Sequence, residues 1–188
     1  MESAFGRLKS RLFRLRGRQA RLASPLFNGI KTFGQTLVMW TVFLGVGPLV
    51  LWEIENRLGI SRFMPLKTAA TALFLAGWVL AWTSAYFMVT RGEGTPLPVD
   101  SLRRLVVAGP YRWVRNPMAM GSLAQGLAIG LYFGSPMIVL YVVAGAMGWN
   151  STVRPWEEAD LGAKFGAEYA RYRRAVRCWA PRLSRYKP

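Results

Sequence analysis

Four stretches of the chain carry no charged side chain: residues 32–52, 68–90, 118–133 and 137–153. The first two hold 21 and 23 residues. At ~1.5 Å per residue either crosses a hydrocarbon layer of ~30 Å as a helix. The last two are shorter, with 16 and 17 residues, and only Gly134-Ser135-Pro136 lies between them. Three linking residues predict a tight helical hairpin. Gly126, Gly130 and Gly134 recur at every fourth position, as do Ala144 and Gly148 in the partner stretch. Small residues at that spacing let helix backbones approach closely in lipid.

Outside these stretches the pattern turns amphipathic. In residues 4–23, Phe5, Leu8, Leu12, Leu15 and Leu22 form one stripe, and Arg7, Arg11, Arg14, Arg18 and Arg21 form another. The stripes are offset by two positions, about 200° around a helix. This suits a helix lying on an anionic membrane surface; a basic arm and a targeting peptide remain open alternatives. Near the other end, Leu161, Phe165, Tyr169, Tyr172, Val176 and Trp179 recur at helical spacing, predicting an amphipathic tail helix. The expected fold is therefore an all-α, multi-pass membrane helix bundle of about four transmembrane helices, with amphipathic helices at both ends. It divides into a basic segment, 1–31, two spans within 32–90, and the loop, hairpin and tail of 91–188.

Charge fixes an expected orientation. Residues 1–31 carry eight Lys and Arg, residues 91–117 five and residues 154–188 nine, against three in 53–67 and none in 134–136. Basic residues concentrate on the cytoplasmic side of a membrane, so both ends and the loop 91–117 are expected there. A net charge of +16 is also compatible with nucleic acid. The bases flank apolar segments, however, and anionic lipid explains them better. No secretory signal is expected, because no apolar core follows the first charges closely.

Composition narrows the chemistry. The chain has one cysteine, Cys178, and no histidine. That excludes an internal disulfide, a Cys/His zinc cluster and a histidine base. Carboxylates, Tyr, Arg, Asn, backbone groups or a cofactor must do the work. Glu157 and Glu158 open the tail helix at the membrane boundary. They either complement a helix dipole or bind a cationic ligand. Tyr111, Arg112, Arg115 and Asn116 precede the third span. They form either an interfacial belt or a site where Arg pairs with a carboxylate and rings stack on a base or hold a sulfonium. Tyr169 and Tyr172 are packing residues or ligands.

The loop Gly109-Pro110-Tyr111-Arg112-Trp113-Val114-Arg115-Asn116-Pro117-Met118-Ala119-Met120-Gly121 resembles a motif of the isoprenylcysteine carboxyl methyltransferase and phospholipid methyltransferase superfamily. The tail resembles its second motif, with Glu157-Glu158, Leu161, Phe165-Gly166, Glu168-Tyr169, Tyr172 and Val176 in register. The resemblance covers about residues 91–182. It implies a methyltransferase-like core in 91–188 and S-adenosylmethionine as methyl donor, bound on the cytoplasmic side. It implies a donor site among Tyr111, Arg115, Asn116, Pro117, Met118, Glu157, Glu158, Tyr169 and Tyr172, with Asn116 and Glu158 nearest the chemistry. Asn116 stands where the carboxyl methyltransferases have histidine, and Ala119 stands where the family has tyrosine. Both departures turn the expectation toward an amine-bearing lipid as acceptor. Its proton would pass to water, Tyr111 or a carboxylate. Membrane lipids are the expected partners, and neither nucleic acid nor metal is. Related sterol reductases imply a second reading, with Arg173 and Arg174 on an NADPH phosphate; a membrane adaptor without catalysis is a third.

Overall fold

The computed structural model describes residues 18–19, 25–92 and 100–187. Helix α1 (Pro25–Trp40) passes through a π-helical turn (Thr41–Val46) into α2 (Gly47–Leu58), giving one continuous rod. Helix α3 (Lys67–Gly92) returns across the bundle. A loop containing a single 3₁₀ turn (Gly109–Arg112) leads to α4 (Pro117–Phe133). Then α5 (Pro136–Gly148) continues through a second π-helical turn (Trp149–Val153) into α6 (Arg154–Ala175). The helical rods Leu26–Leu58, Lys67–Gly92 and Pro136–Ala175 are each long and apolar enough to cross a membrane. Large apolar side chains such as Val38, Leu49, Val79, Leu140 and Met147 point outward, as they do on a lipid-facing surface. The protein is a helical membrane bundle.

The hairpin forms as its sequence predicts. Gly134 ends α4 in the left-handed conformation, the Ser135 side chain accepts from the Ile138 N–H at 3.1 Å, and Pro136 begins α5. Gly126 and Gly130 face Val142 and Val139 across it. Ala144 and Gly148, expected in the same seam, lie outside it: Ala144 is exposed, and Gly148 has open space around it. The closest approach lies elsewhere. A Cβ on Gly121 of α4 would stand 2.6 Å from the Gly77 carbonyl oxygen and 2.9 Å from the Ala81 nitrogen of α3. The α3–α4 pair is the most extensive contact in the bundle.

Two elements differ from the expected pattern, while α4 keeps the short length read from the sequence. Helix α4 has 17 residues, about 26 Å at ~1.5 Å per residue, and falls short of the three long rods. Residues 4–23 lie outside the described residues except Arg18–Gln19. That pair is extended rather than helical: it forms strand β1 and pairs in parallel with β2 (Asp100–Ser101). The amphipathic tail helix is a continuation of the last rod and stops at Ala175, so Val176 and Trp179 lie beyond it. From Val176 onward the chain is no longer helical and its backbone pairs with the loop. Arg115 N–H donates to the Arg177 carbonyl (3.0 Å), Arg182 N–H to Trp113 (2.9 Å) and Tyr186 N–H to Arg112 (2.9 Å).

Candidate functional site

A cavity of about 420 Å³ lies between α1, α4, α5, α6 and the loop before α4. Its size is ordinary for a small-molecule site. One end is apolar, lined by Met39, Phe43, Leu44, Ala119, Leu123 and Val142. The other is polar, lined by Tyr111, Arg115, Asn116, Arg154, Glu157 and Glu158. Both π-helical turns border it, through Phe43 and Leu44 on one side and Trp149 on the other. Such turns expose backbone groups that a regular helix would pair, and they recur at functional sites.

The tail motif folds over this end because of Gly166, whose φ of 48° and ψ of −120° break α6 internally. The bend lets Tyr169, Tyr172 and Val176 bury together against Leu105, Val107 and Phe165. Tyr172 donates from its hydroxyl to the Tyr111 carbonyl at 2.7 Å, which seats the loop on the tail. The chain after Ala175 clamps the other side of the same loop.

The two glutamates differ. Arg115 donates to Glu158 Oε1 at 2.7 Å and to the Tyr169 hydroxyl at 3.2 Å. Arg154 Nε lies 3.2 Å from Glu158 Oε1, and Arg173 Nε 3.4 Å from Oε2. Three guanidinium groups thus surround one carboxylate that is 11% exposed. Glu157 has no ion pair or hydrogen bond among the described residues, and it lines the cavity. Burial works against the Arg115 guanidinium, but Glu158 outweighs it and holds the pKa above the ordinary value. Burial, with help from Tyr172 and Glu157, pushes the Tyr111 phenol well above its usual range. Burial also raises the Cys178 thiol, against the pull of Arg115 and Arg154.

The geometry thus gathers Tyr111, Arg115, Asn116, Met118, Glu157, Glu158, Tyr169 and Tyr172 around one cavity. Pro117 is buried but does not line it; Pro117 starts α4. Asn116 occupies the cap position of α4 without a side-chain capping bond, so its amide is available to the cavity. Pattern reading missed Arg154, Trp149 and the α1 wall formed by Gln35 and Thr36. The only signal for that wall was polar residues in an otherwise apolar span.

Charged side chains and an apolar lining thus meet in one cavity inside a helical membrane bundle. The chain belongs to the phospholipid methyltransferase family, whose model matches residues 66–168, more than half of the sequence. It is also similar to two proteins named methanethiol S-methyltransferase. The one from Mycobacterium tuberculosis is 28% identical over 151 residues, covering 71% of this chain and 54% of the relative. The one from Pseudomonas deceptionensis is 27% identical over 178 residues, covering 86% and 62%. The chain therefore spans little more than half the length of these relatives.

Proposed function

We propose that the cavity transfers a methyl group from S-adenosylmethionine to a lipophilic acceptor, the donor occupying the polar end and the acceptor the apolar end. The observation that carries this is the charge asymmetry of the glutamate pair. Glu158 is over-compensated by three arginines, which leaves net positive charge for the donor's carboxylate. Glu157, without a partner, suits its ammonium or ribose. The uncapped first turn of α4 adds backbone N–H groups for the carboxylate. Tyr111 Oη, Arg115 Nε and Trp149 Nε1 are buried without a hydrogen-bond partner among the described residues, and all three residues line the cavity. Buried polar atoms of that kind are costly unless a ligand satisfies them. The donor supplies an electrophilic methyl group on a sulfonium. The chain's part is to align the acceptor with it and to exclude water.

An acceptor with an apolar body and an amine fits this lining; an alkylamine is an ammonium near neutral pH, so it gives one proton to water or a carboxylate before its lone pair attacks. The relatives' name, methanethiol S-methyltransferase, favours a thiol as the second reading. The polar end faces the cytoplasm in this proposal, since 22 of the 25 basic residues lie on its side of the spans. Of the other expectations, an NADPH site is weakened by Arg173, which is engaged by Glu158.

Thermal unfolding of the purified protein with S-adenosylhomocysteine or NADPH tests the reading. A ligand that binds only the folded state raises the midpoint. A rise with S-adenosylhomocysteine alone is expected. A rise with NADPH alone would replace the methyltransferase site with a reductase one.

A further inference from the structure

One face of α1 carries polar groups that the donor site leaves unused. Asn28, Thr32, Gln35 and Thr36 follow one another at helical spacing. Asn28, Thr32 and Thr36 are 5%, 2% and 5% exposed. They lie within a rod long and apolar enough to cross a membrane. Polar groups at that depth are expensive unless paired, and they commonly mark a ligand path. Yet Thr32 Oγ1, Gln35 Oε1 and Thr36 Oγ1 are buried with no partner among the described residues. A helical hydroxyl usually returns to the carbonyl four residues earlier. Thr71, Ser84 and Thr90 do so here, at 2.9, 2.6 and 2.7 Å. Thr32 and Thr36 do not. Gln35 and Thr36 line the cavity together with Met39, Phe43 and Ser122.

We propose that Gln35 and Thr36 hold the headgroup of the methyl acceptor, with Thr32 extending the same polar track along α1. The inference rests on the methyltransferase reading and adds to it the residues that choose the acceptor, which lie outside the matched segment 66–168. A carbonyl oxygen such as Gln35 Oε1 can only accept, and Thr36 Oγ1 is free to accept. The wall therefore favours a group that donates. An alkylamine is an ammonium near neutral pH and first gives one proton to water; the neutral primary amine then has two N–H donors and one lone pair. With both N–H groups held by the wall, the lone pair is left for the methyl carbon. The nitrogen forms a bond to that carbon as the carbon–sulfur bond breaks, and the electron pair of the broken bond stays on sulfur. Positive charge passes from sulfur to nitrogen, and the methylated ammonium releases one proton to water. A thiol offers a single weak donor and must lose that proton before attack, so it would gain less from these oxygens.

The test uses decylamine and decanethiol as acceptors with methyl-labelled S-adenosylmethionine, and calorimetry with S-adenosylhomocysteine. Wild type is expected to label decylamine. The double variant Gln35→Leu, Thr36→Val should raise the apparent KM for decylamine at least tenfold. Its affinity for S-adenosylhomocysteine should stay within twofold, and its unfolding midpoint should be unchanged or higher, because unpaired polar atoms have left an apolar interior. Thr36→Ser alone should keep the wild-type KM. An unchanged KM in the double variant overturns the inference, as does a fall in midpoint and donor affinity together, which would make the stripe structural. Label on decanethiol alone, or on neither acceptor, also overturns it. A wild type that binds no S-adenosylhomocysteine overturns the methyltransferase reading itself.

Discussion

At the scale of single residues, Glu157 and Glu158 are adjacent and chemically identical, yet their surroundings differ: three arginines meet Glu158, and none is paired with Glu157 among the described residues. Glu157→Gln should leave the fold intact and weaken S-adenosylhomocysteine binding. Losing a charge-assisted hydrogen bond costs about 1.5–3 kcal/mol, roughly tenfold to a hundredfold in affinity. Glu158→Gln should instead lower the unfolding midpoint, since it leaves Arg115, Arg154 and Arg173 without their shared carboxylate. Removing one partner from a buried ion network costs about 3–5 kcal/mol. Calorimetric titration and thermal unfolding on the two variants separate the effects. Equal loss of donor affinity in both, with unchanged midpoints, would contradict the division of roles. The sequence marked both residues by their rarity in a basic chain, but it could not part them. The separation depends on Arg115 arriving from a distant loop and on Arg154 and Arg173 flanking the pair on α6. The α1 wall was hidden for another reason. Thr and Gln are uncharged, so they did not interrupt the apolar run that identified the span.

At the scale of elements, two glycines and one buried acid set the helix positions. Gly166 has a backbone conformation that side chains with a Cβ rarely adopt, and the space around it is open. Gly166→Ala should cost about 1–3 kcal/mol through backbone strain alone. It should also weaken donor binding, because the bend carries Tyr169 and Tyr172 to the loop. Gly121→Val forces α4 away from α3, with overpacking of about 1–3 kcal/mol. Protease resistance and the unfolding midpoint of both variants provide the check; a midpoint equal to wild type would contradict the close α3–α4 seam. At the far end of the hairpin, Glu55 of α2 is buried and accepts from Ser135 Oγ at 2.7 Å and from Met137 N–H at 2.8 Å. Glu55→Ala strands both donors, at about 1–3 kcal/mol each. The hairpin was legible in the sequence because its turn is written in three consecutive residues. The Glu55 clasp and the strap after Ala175 were not. Each joins segments far apart in sequence, and neither leaves a periodic trace.

At the scale of the whole molecule, the two ends of the bundle carry opposite chemistry. The hairpin turn and the Glu55 clasp lie at one end, with Arg57, Arg62 and Lys67 near them. The cavity's charged mouth lies toward the other. Reporter fusions after Lys31, Arg62, Ser101 and Pro188 should give cytoplasmic signals at all but Arg62. A signal from the opposite side at Ser101 would turn the donor site away from the cytoplasm and contradict the proposed orientation. The fold class and most of the polar residues that share the cavity were readable from span lengths and two motifs in register, because those patterns are local. The α1 wall of the cavity was not, since it forms only where α1 and α5 close on α4. The most direct measurement of the central claim is methyl transfer by membranes containing the protein, given methyl-labelled S-adenosylmethionine and then partitioned between organic and aqueous phases. The account predicts label in the organic phase that falls at least tenfold in Glu157→Gln at a subsaturating donor concentration. Label confined to water-soluble products, or organic label unaffected by that substitution, would contradict it.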